Sequence, residues 1–121
     1  MHTPREIAEA AVRALDGKSA HDLKLLRTTD VTVLADYFVI CTATSTTQIK
    51  TLADAAEAAL EAMGETKLHR EGYRFGSWVL LDFGAVVIHL FMEEARQFYN
   101  LERLWADAEE IDISGLQGTA E

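Results

Sequence analysis

Four histidines (His2, His21, His69, His89), one cysteine (Cys41) and the acid pair that comes nearest to Asp-x-Asp, Glu110-x-Asp112, are the residues whose types suit catalysis or metal binding. No two histidines sit four residues apart and no HExxH occurs. A single cysteine allows neither a CxxC nor an internal disulfide, so a structural zinc site is not expected. Neither GxxxxGK[ST] nor GxGxxG is present, which leaves P-loop and dinucleotide binding unsupported. His89, between Ile88 and Leu90, reads either as a general base or as a half-buried imidazole satisfied by a backbone or carboxylate partner, and the second is preferred. Cys41 closes an apolar run without an adjacent base and reads as a small core residue rather than a nucleophile. The turn Thr42-Ala43-Thr44-Ser45-Thr46 offers N–H groups and hydroxyls to an anion, yet helix capping explains the same residues.

The residues suited to binding are clearer. Trp78, Tyr99 and Trp105 are aromatics of the kind that anchor interfaces. Trp105 lies on the apolar face of a helix pattern and reads as core. Trp78 follows polar Gly76-Ser77 and Tyr99 precedes Asn100, so both are expected to reach solvent. Asp82 and the pair Glu93-Glu94 fall at the ends of two strand patterns, where acids could gather on one rim and meet lysine or arginine. Net charge is −9 and unevenly placed: residues 1–30 carry five acids and five bases, the rest fifteen acids and six bases. Such a surface repels a phosphate backbone, so a basic protein is favoured over DNA or bare RNA, although solubility alone also accounts for the charge.

The elements that must position these residues follow from patterning. With 121 residues, 49% of them hydrophobic, the chain reads as one domain with a real core. No apolar run approaches the roughly 18 residues of a membrane span, and MHTPREIAEA has no signal-peptide pattern. A reducing, cytoplasmic setting is expected. Thr3-Pro4-Arg5-Glu6 is a capping box opening a helix over 4–16, with Ile7, Ala8, Ala11, Val12 and Leu15 on one face. Strands are expected over 22–28, 37–42, 68–70, 78–82 and 85–91, with residues 31–34 as a turn or edge piece. The run Tyr37 to Thr42 is apolar throughout, hence central in a sheet covered on both faces. Ser45-Thr46-Thr47-Gln48 is a second capping box, opening a helix that Gly64 closes. Phe83-Gly84 joins two strands as a hairpin. A last helix over 93–106 would turn Phe98, Leu101, Leu104 and Trp105 inward. Together these give an α/β fold: a single mixed sheet of about five strands flanked by helices, with an acidic, partly frayed tail over 107–121.

Two motifs then carry a resemblance. Asp36-Tyr37-Phe38-Val39-Ile40-Cys41-Thr42, with Gln48-Ile49 and Leu52-Ala53-Asp54, forms the first. Glu71-Gly72, Trp78 to Gly84, Val86 to Phe91, and Glu93-Glu94-x-Arg96-x-Phe98-Tyr99-x-Leu101-Glu102-x-Leu104-Trp105 form the second. In order and spacing they resemble the ribosomal silencing factor, or Iojap-like, family over about residues 4–106, with small departures at Ala43, Ser77 and Ala85. The resemblance implies a nucleotidyltransferase-like core and binding to the large ribosomal subunit through its protein fourteen, where the bound factor obstructs subunit joining. It also implies a homodimer when free. Organellar relatives imply a large-subunit assembly role as the alternative. A degenerate nucleotide-binding protein is a further alternative, but the Asp-x-Asp pair that two-metal phosphoryl transfer needs is missing. No enzymatic activity and no cofactor are expected. Against that partner Trp78 is expected to be the apolar anchor, with Asp82, Glu93, Glu94 and Tyr99 pairing with basic or polar groups, and Asp36, near the start of the central strand, is a further candidate.

Overall fold

The computed structural model describes residues 2–100, 103 and 106–117. Helix α1 (Pro4–Asp16) starts at the expected capping box: Glu6 N–H donates to Thr3 Oγ1 at 3.1 Å, and Thr3 N–H donates to Glu6 Oε1 at 2.7 Å. Its apolar stripe, Ile7 to Leu15, is buried as its spacing requires. Helix α2 (Thr46–Ala62) is capped by Ser45, whose Oγ accepts from Gln48 N–H at 3.0 Å. The reciprocal half of the expected capping box is replaced. Gln48 Oε1 accepts from Thr44 N–H instead, and its Nε2 donates to the carbonyls of Ser19 and Lys18. The glutamine is drawn away because the α1–β1 loop presents carbonyls at that point.

The strands are β1 (His21–Arg27), β2 (Tyr37–Ala43), β3 (His69–Glu71), β4 (Trp78–Asp82), β5 (Val86–Met92) and β6 (Glu109–Ile111). They form one mixed sheet in the order β3-β4-β5-β2-β1-β6. Strand β2 pairs parallel with β5, and the other pairings are antiparallel. The sixth strand exceeds the expected five because Glu109–Ile111, within the segment read as a tail, pairs with Arg27, Leu26 and Leu25. Residues 31–34 form no strand; Val31 and Thr32 N–H groups turn back to the Thr28 carbonyl.

Every residue of β2 is buried, as its unbroken apolar run predicts. Alternation assigns the two faces. Val39, Cys41, Val79, Leu81, Ile88 and Leu90 meet α1 and α2 in the main core. Phe38, Ile40, Val87 and Phe91 form a smaller cluster on the other face, with Trp78, Leu80 and Ala95 packed against it.

The third helix, α3 (Glu93–Tyr99), is the largest departure from expectation. It was expected to run to Ala106, but Asn100 takes a left-handed conformation (φ 47°) and its N–H caps the Arg96 carbonyl. Phe98 consequently does not turn inward: it is 81% exposed, while Ala95, Arg96 and Tyr99 face the sheet. Leu101, Leu104 and Trp105, also expected in the core, lie outside the described residues.

Gly72 fixes the entry to β4. It has φ +80°, and a Cβ there would fall 1.9 Å from the Trp78 carbonyl oxygen, whereas a Cβ on Gly64 (φ +91°) would meet nothing within 4 Å. Gly64→Ala is expected to cost about 1 kcal/mol of backbone strain, and Gly72→Ala at least about 2 kcal/mol because a clash with backbone adds to the strain. Urea unfolding of the two variants measures the difference.

Candidate partner-binding site

The parallel strands β2 and β5 lie side by side, and the chain leaves them to opposite faces: β2 leads into α2 and β5 into α3. Diverging connections open a crevice beyond the carboxyl ends of the strands, where α/β proteins place their sites. A cleft of about 930 Å³ occupies that position. Its walls are His21 and Asp22 from β1, Thr42 to Thr44, Ser77, Met92 at the end of β5, and Glu93, Glu94, Ala95, Phe98 and Tyr99 from α3.

Arg96 holds the two sides of the cleft together. It is buried, and its Nη1 donates to the Asp22 carbonyl at 2.6 Å and to Thr42 Oγ1 at 2.8 Å. Asp22 sits at an irregularity of β1, where the register slips between His21 and Lys24 and its φ is +46°. The bend turns its carbonyl toward Arg96.

Of the residues picked out in the sequence, Glu93, Glu94 and Tyr99 line this cleft and Trp78 stands behind it. Glu93 and Glu94 occupy the first turn of α3, where carboxylates also favour the helix dipole. Trp78 is partly buried rather than freely exposed: its ring lies 5.0 Å from Phe91 and 4.5 Å from Tyr99. Tyr99 covers it and is itself 49% exposed.

Asp82 and Asp36 do not join them. Trp78 pairs with Phe91 at one end of β4, and Asp82 pairs with Val87 at the other. Asp82 Oδ1 accepts from Gly84 N–H at 2.8 Å and shapes the hairpin turn. Asp36 precedes Tyr37, opposite Val86, and its N–H donates to the Ala85 carbonyl. The acids therefore do not gather on one rim but divide between the two ends of the sheet. Strand direction and register make that division, and spacing alone does not reveal it.

The structure also brings forward residues that sequence reasoning passed over. Asp22 had no motif around it, and Arg96 appeared within one without a role. Phe98 was expected inside. Phe75, 82% exposed, is presented by the turn before Trp78, and that turn is tied to α2 by Tyr73 Oη donating to Asp54 at 3.1 Å. The signal for Phe75 was its place between Arg74 and Gly76, in a polar turn with no apolar periodicity.

Two chemistry candidates resolve into core residues. Burial pushes the Cys41 thiol up to about 12, which removes its thiolate at neutral pH. His89 is 5% exposed, and its partner is neither backbone nor carboxylate: Trp78 Nε1–H donates to His89 Nδ1 at 3.2 Å. Among the described residues no group of three or more His, Cys, Asp and Glu is placed to hold a metal ion. Nor, among them, is any helix long and apolar enough to cross a membrane.

The fold and cleft define an α/β protein with an aromatic and acidic face beside a switch point. Comparison with known proteins names the family. The family model "Ribosomal silencing factor during starvation" matches residues 1–121. A ribosomal silencing factor of Halalkalibacterium halodurans is 35% identical over 112 residues, covering 93% of this chain and 96% of that protein. The mouse protein named mitochondrial assembly of ribosomal large subunit protein 1 is 31% identical over 97 residues, 78% of this chain and 42% of that one. A crystal structure of a Chromobacterium violaceum protein superposes with a TM-score of 0.85 at 32% identity, covering 87% of this chain and 88% of that chain. The chain belongs to the ribosomal silencing factor, or Iojap-like, family.

Burial lowers the His89 pKa from 6.5 to about 4. Protonation therefore favours the unfolded chain. The stabilisation is fully present above pH 6.5 and is lost as pH falls toward 4, by about 3 kcal/mol in all. Denaturant unfolding at pH 7 and pH 4.5 should show this loss in the native chain, and His89→Leu should lose less by a large part of that amount.

Proposed function

We propose that this chain is a ribosomal silencing factor that docks its cleft on a basic protein surface of the large ribosomal subunit, that of protein fourteen, and thereby keeps the small subunit from joining. One observation carries the reading. The cleft sets Phe98 and Tyr99, large and exposed, beside Asp22, Glu93 and Glu94 on a chain of net charge −9. Apolar rings beside carboxylates suit arginine or lysine stems that lay their methylenes on aromatics and their charges on acids. No chemical step is required, because a domain of this bulk at a subunit interface acts by occupying space. Family membership supports the ribosomal setting. The free chain is proposed to be a cytoplasmic homodimer that buries the same aromatic face, so dimerisation competes with subunit binding.

The position of the cleft favours one rival reading, since nucleotide-binding folds also place ligands at a switch point. The carboxylates of Asp22, Glu93 and Glu94 oppose it by repelling phosphate. Calorimetry with nucleoside triphosphate and magnesium separates the two: silence is expected, and a micromolar heat signal lost on Thr44→Val would favour the nucleotide. An assembly role, which the mouse relative's name favours, would show as large subunits that accumulate immature when the chain is depleted.

Co-sedimentation with isolated large subunits tests the docking face. Tyr99→Ala and the pair Glu93→Lys with Glu94→Lys are each expected to weaken binding at least about tenfold, or about 1.4 kcal/mol. Asp82→Asn, at the far end of β4, is expected to leave affinity within about threefold. Equal losses at both ends of the sheet would remove the cleft from the proposal.

A further inference from the structure

His89 stands at the centre of the sheet, opposite Ile40 on β2 and Leu80 on β4, on the face away from α1 and α2. Its ring meets Phe38 edge-on at 4.9 Å and lies nearly parallel to Phe91. Only one of its nitrogens is satisfied. An indole N–H can only donate, so Nδ1, which faces Trp78 Nε1 at 3.2 Å, is the bare nitrogen and the ring proton sits on Nε2. That Nε2–H is buried and has no hydrogen-bond partner among the described residues. A buried donor left unmade is a net cost, and a leucine would pack in the same apolar surroundings without it. The imidazole therefore weakens the sheet face it occupies, and the one bond it makes goes to Trp78.

Trp78 passes the effect outward. The indole lies against Phe91 and His89, and Tyr99 packs on it at 4.5 Å, beside Phe91, and forms part of the cleft wall. Indole χ2 is a broad torsion, and an indole N–H without an acceptor turns toward water. A turned indole no longer supports Tyr99. We infer that His89 is a positioning residue for the docking cleft: by accepting the Trp78 N–H it holds the indole in one orientation and, through it, sets the Tyr99 ring. The role in docking rests on the function proposed above; the hold on Trp78 does not.

The test uses the full chain carrying Trp105→Phe, so that a single indole remains, with His89 native, His89→Leu or His89→Asn. Asparagine places an amide oxygen where Nδ1 stands, and leucine offers no acceptor. Long-range ¹H–¹⁵N spectra of the native chain are expected to show the Nε2–H tautomer. The Trp78 indole proton is expected to exchange with solvent at least about tenfold faster in the leucine variant and to recover in the asparagine variant. In the same proteins, large-subunit affinity is expected to fall about fivefold with leucine although its melting temperature at pH 7 does not fall, and to return toward native with asparagine. A native Nδ1–H tautomer, or unchanged indole protection in the leucine variant, would overturn the hold on Trp78 and leave the docking proposal standing. Changed protection with unchanged affinity would overturn the role in docking. No binding by the native chain would end the docking proposal, while the indole measurements still decide whether His89 holds Trp78.

Discussion

The parallel pairing of β2 and β5 is the constraint on which the rest of the structure depends. Seven consecutive residue pairs, from Tyr37 with Val86 to Ala43 with Met92, lock the two strands in register. Both are buried on both faces nearly throughout, so each face needs a cover. The long amphipathic helices α1 and α2 cover one face. The other receives a seven-residue helix and a cluster of aromatic rings. Because the chain leaves β2 and β5 on opposite faces, their carboxyl ends open into a cleft, the position where α/β proteins place their sites.

Three polar connections tie neighbouring elements together: two supply partners to backbone carbonyls, and the third joins two side chains. Arg96 joins α3 to the bent start of β1 and to Thr42. Gln48 joins the start of α2 to the α1–β1 loop. Tyr73 holds the turn bearing Phe75 against α2, with Arg70 stacked on its ring at 4.2 Å. Phe98, which meets the Tyr99 ring edge-on, and Phe75 stay largely exposed. Exposed aromatics on fixed backbone favour docking, since little side-chain freedom remains to be lost on binding.

Much of this was legible in the sequence, for identifiable reasons. Local chemistry wrote α1 and the start of α2: the Thr3 cap, Pro4 and the apolar stripe name their own structure. The unbroken run Tyr37 to Thr42 announced a central strand. The two motifs announced the family, and the sequence reading singled out Trp78, Glu93, Glu94 and Tyr99, which the structure brings together at the cleft. What stayed hidden depends on long-range pairing. Asp82 and Glu93 both close hairpin strands, yet antiparallel direction sends them to opposite ends. Phe98 continues a helical pattern that Asn100 interrupts through its own backbone conformation. The partner of His89 is an indole eleven residues away that only the register of β4 on β5 brings beside it. Strand β6 is acidic and short, with one buried residue, Ile111, to mark it.

The central claim is that the cleft end of the sheet, and not the end bearing Asp36 and Asp82, meets a basic protein of the large subunit. Photo-crosslinking reads this most directly. A benzophenone amino acid placed at Phe98 marks the cleft, and one at Val33, which is fully exposed on the loop at the other end, serves as its counterpart. After irradiation with isolated large subunits, position 98 should join a single ribosomal protein and position 33 should join none. Crosslinks from position 33 alone, or from position 98 to ribosomal RNA only, would contradict the account.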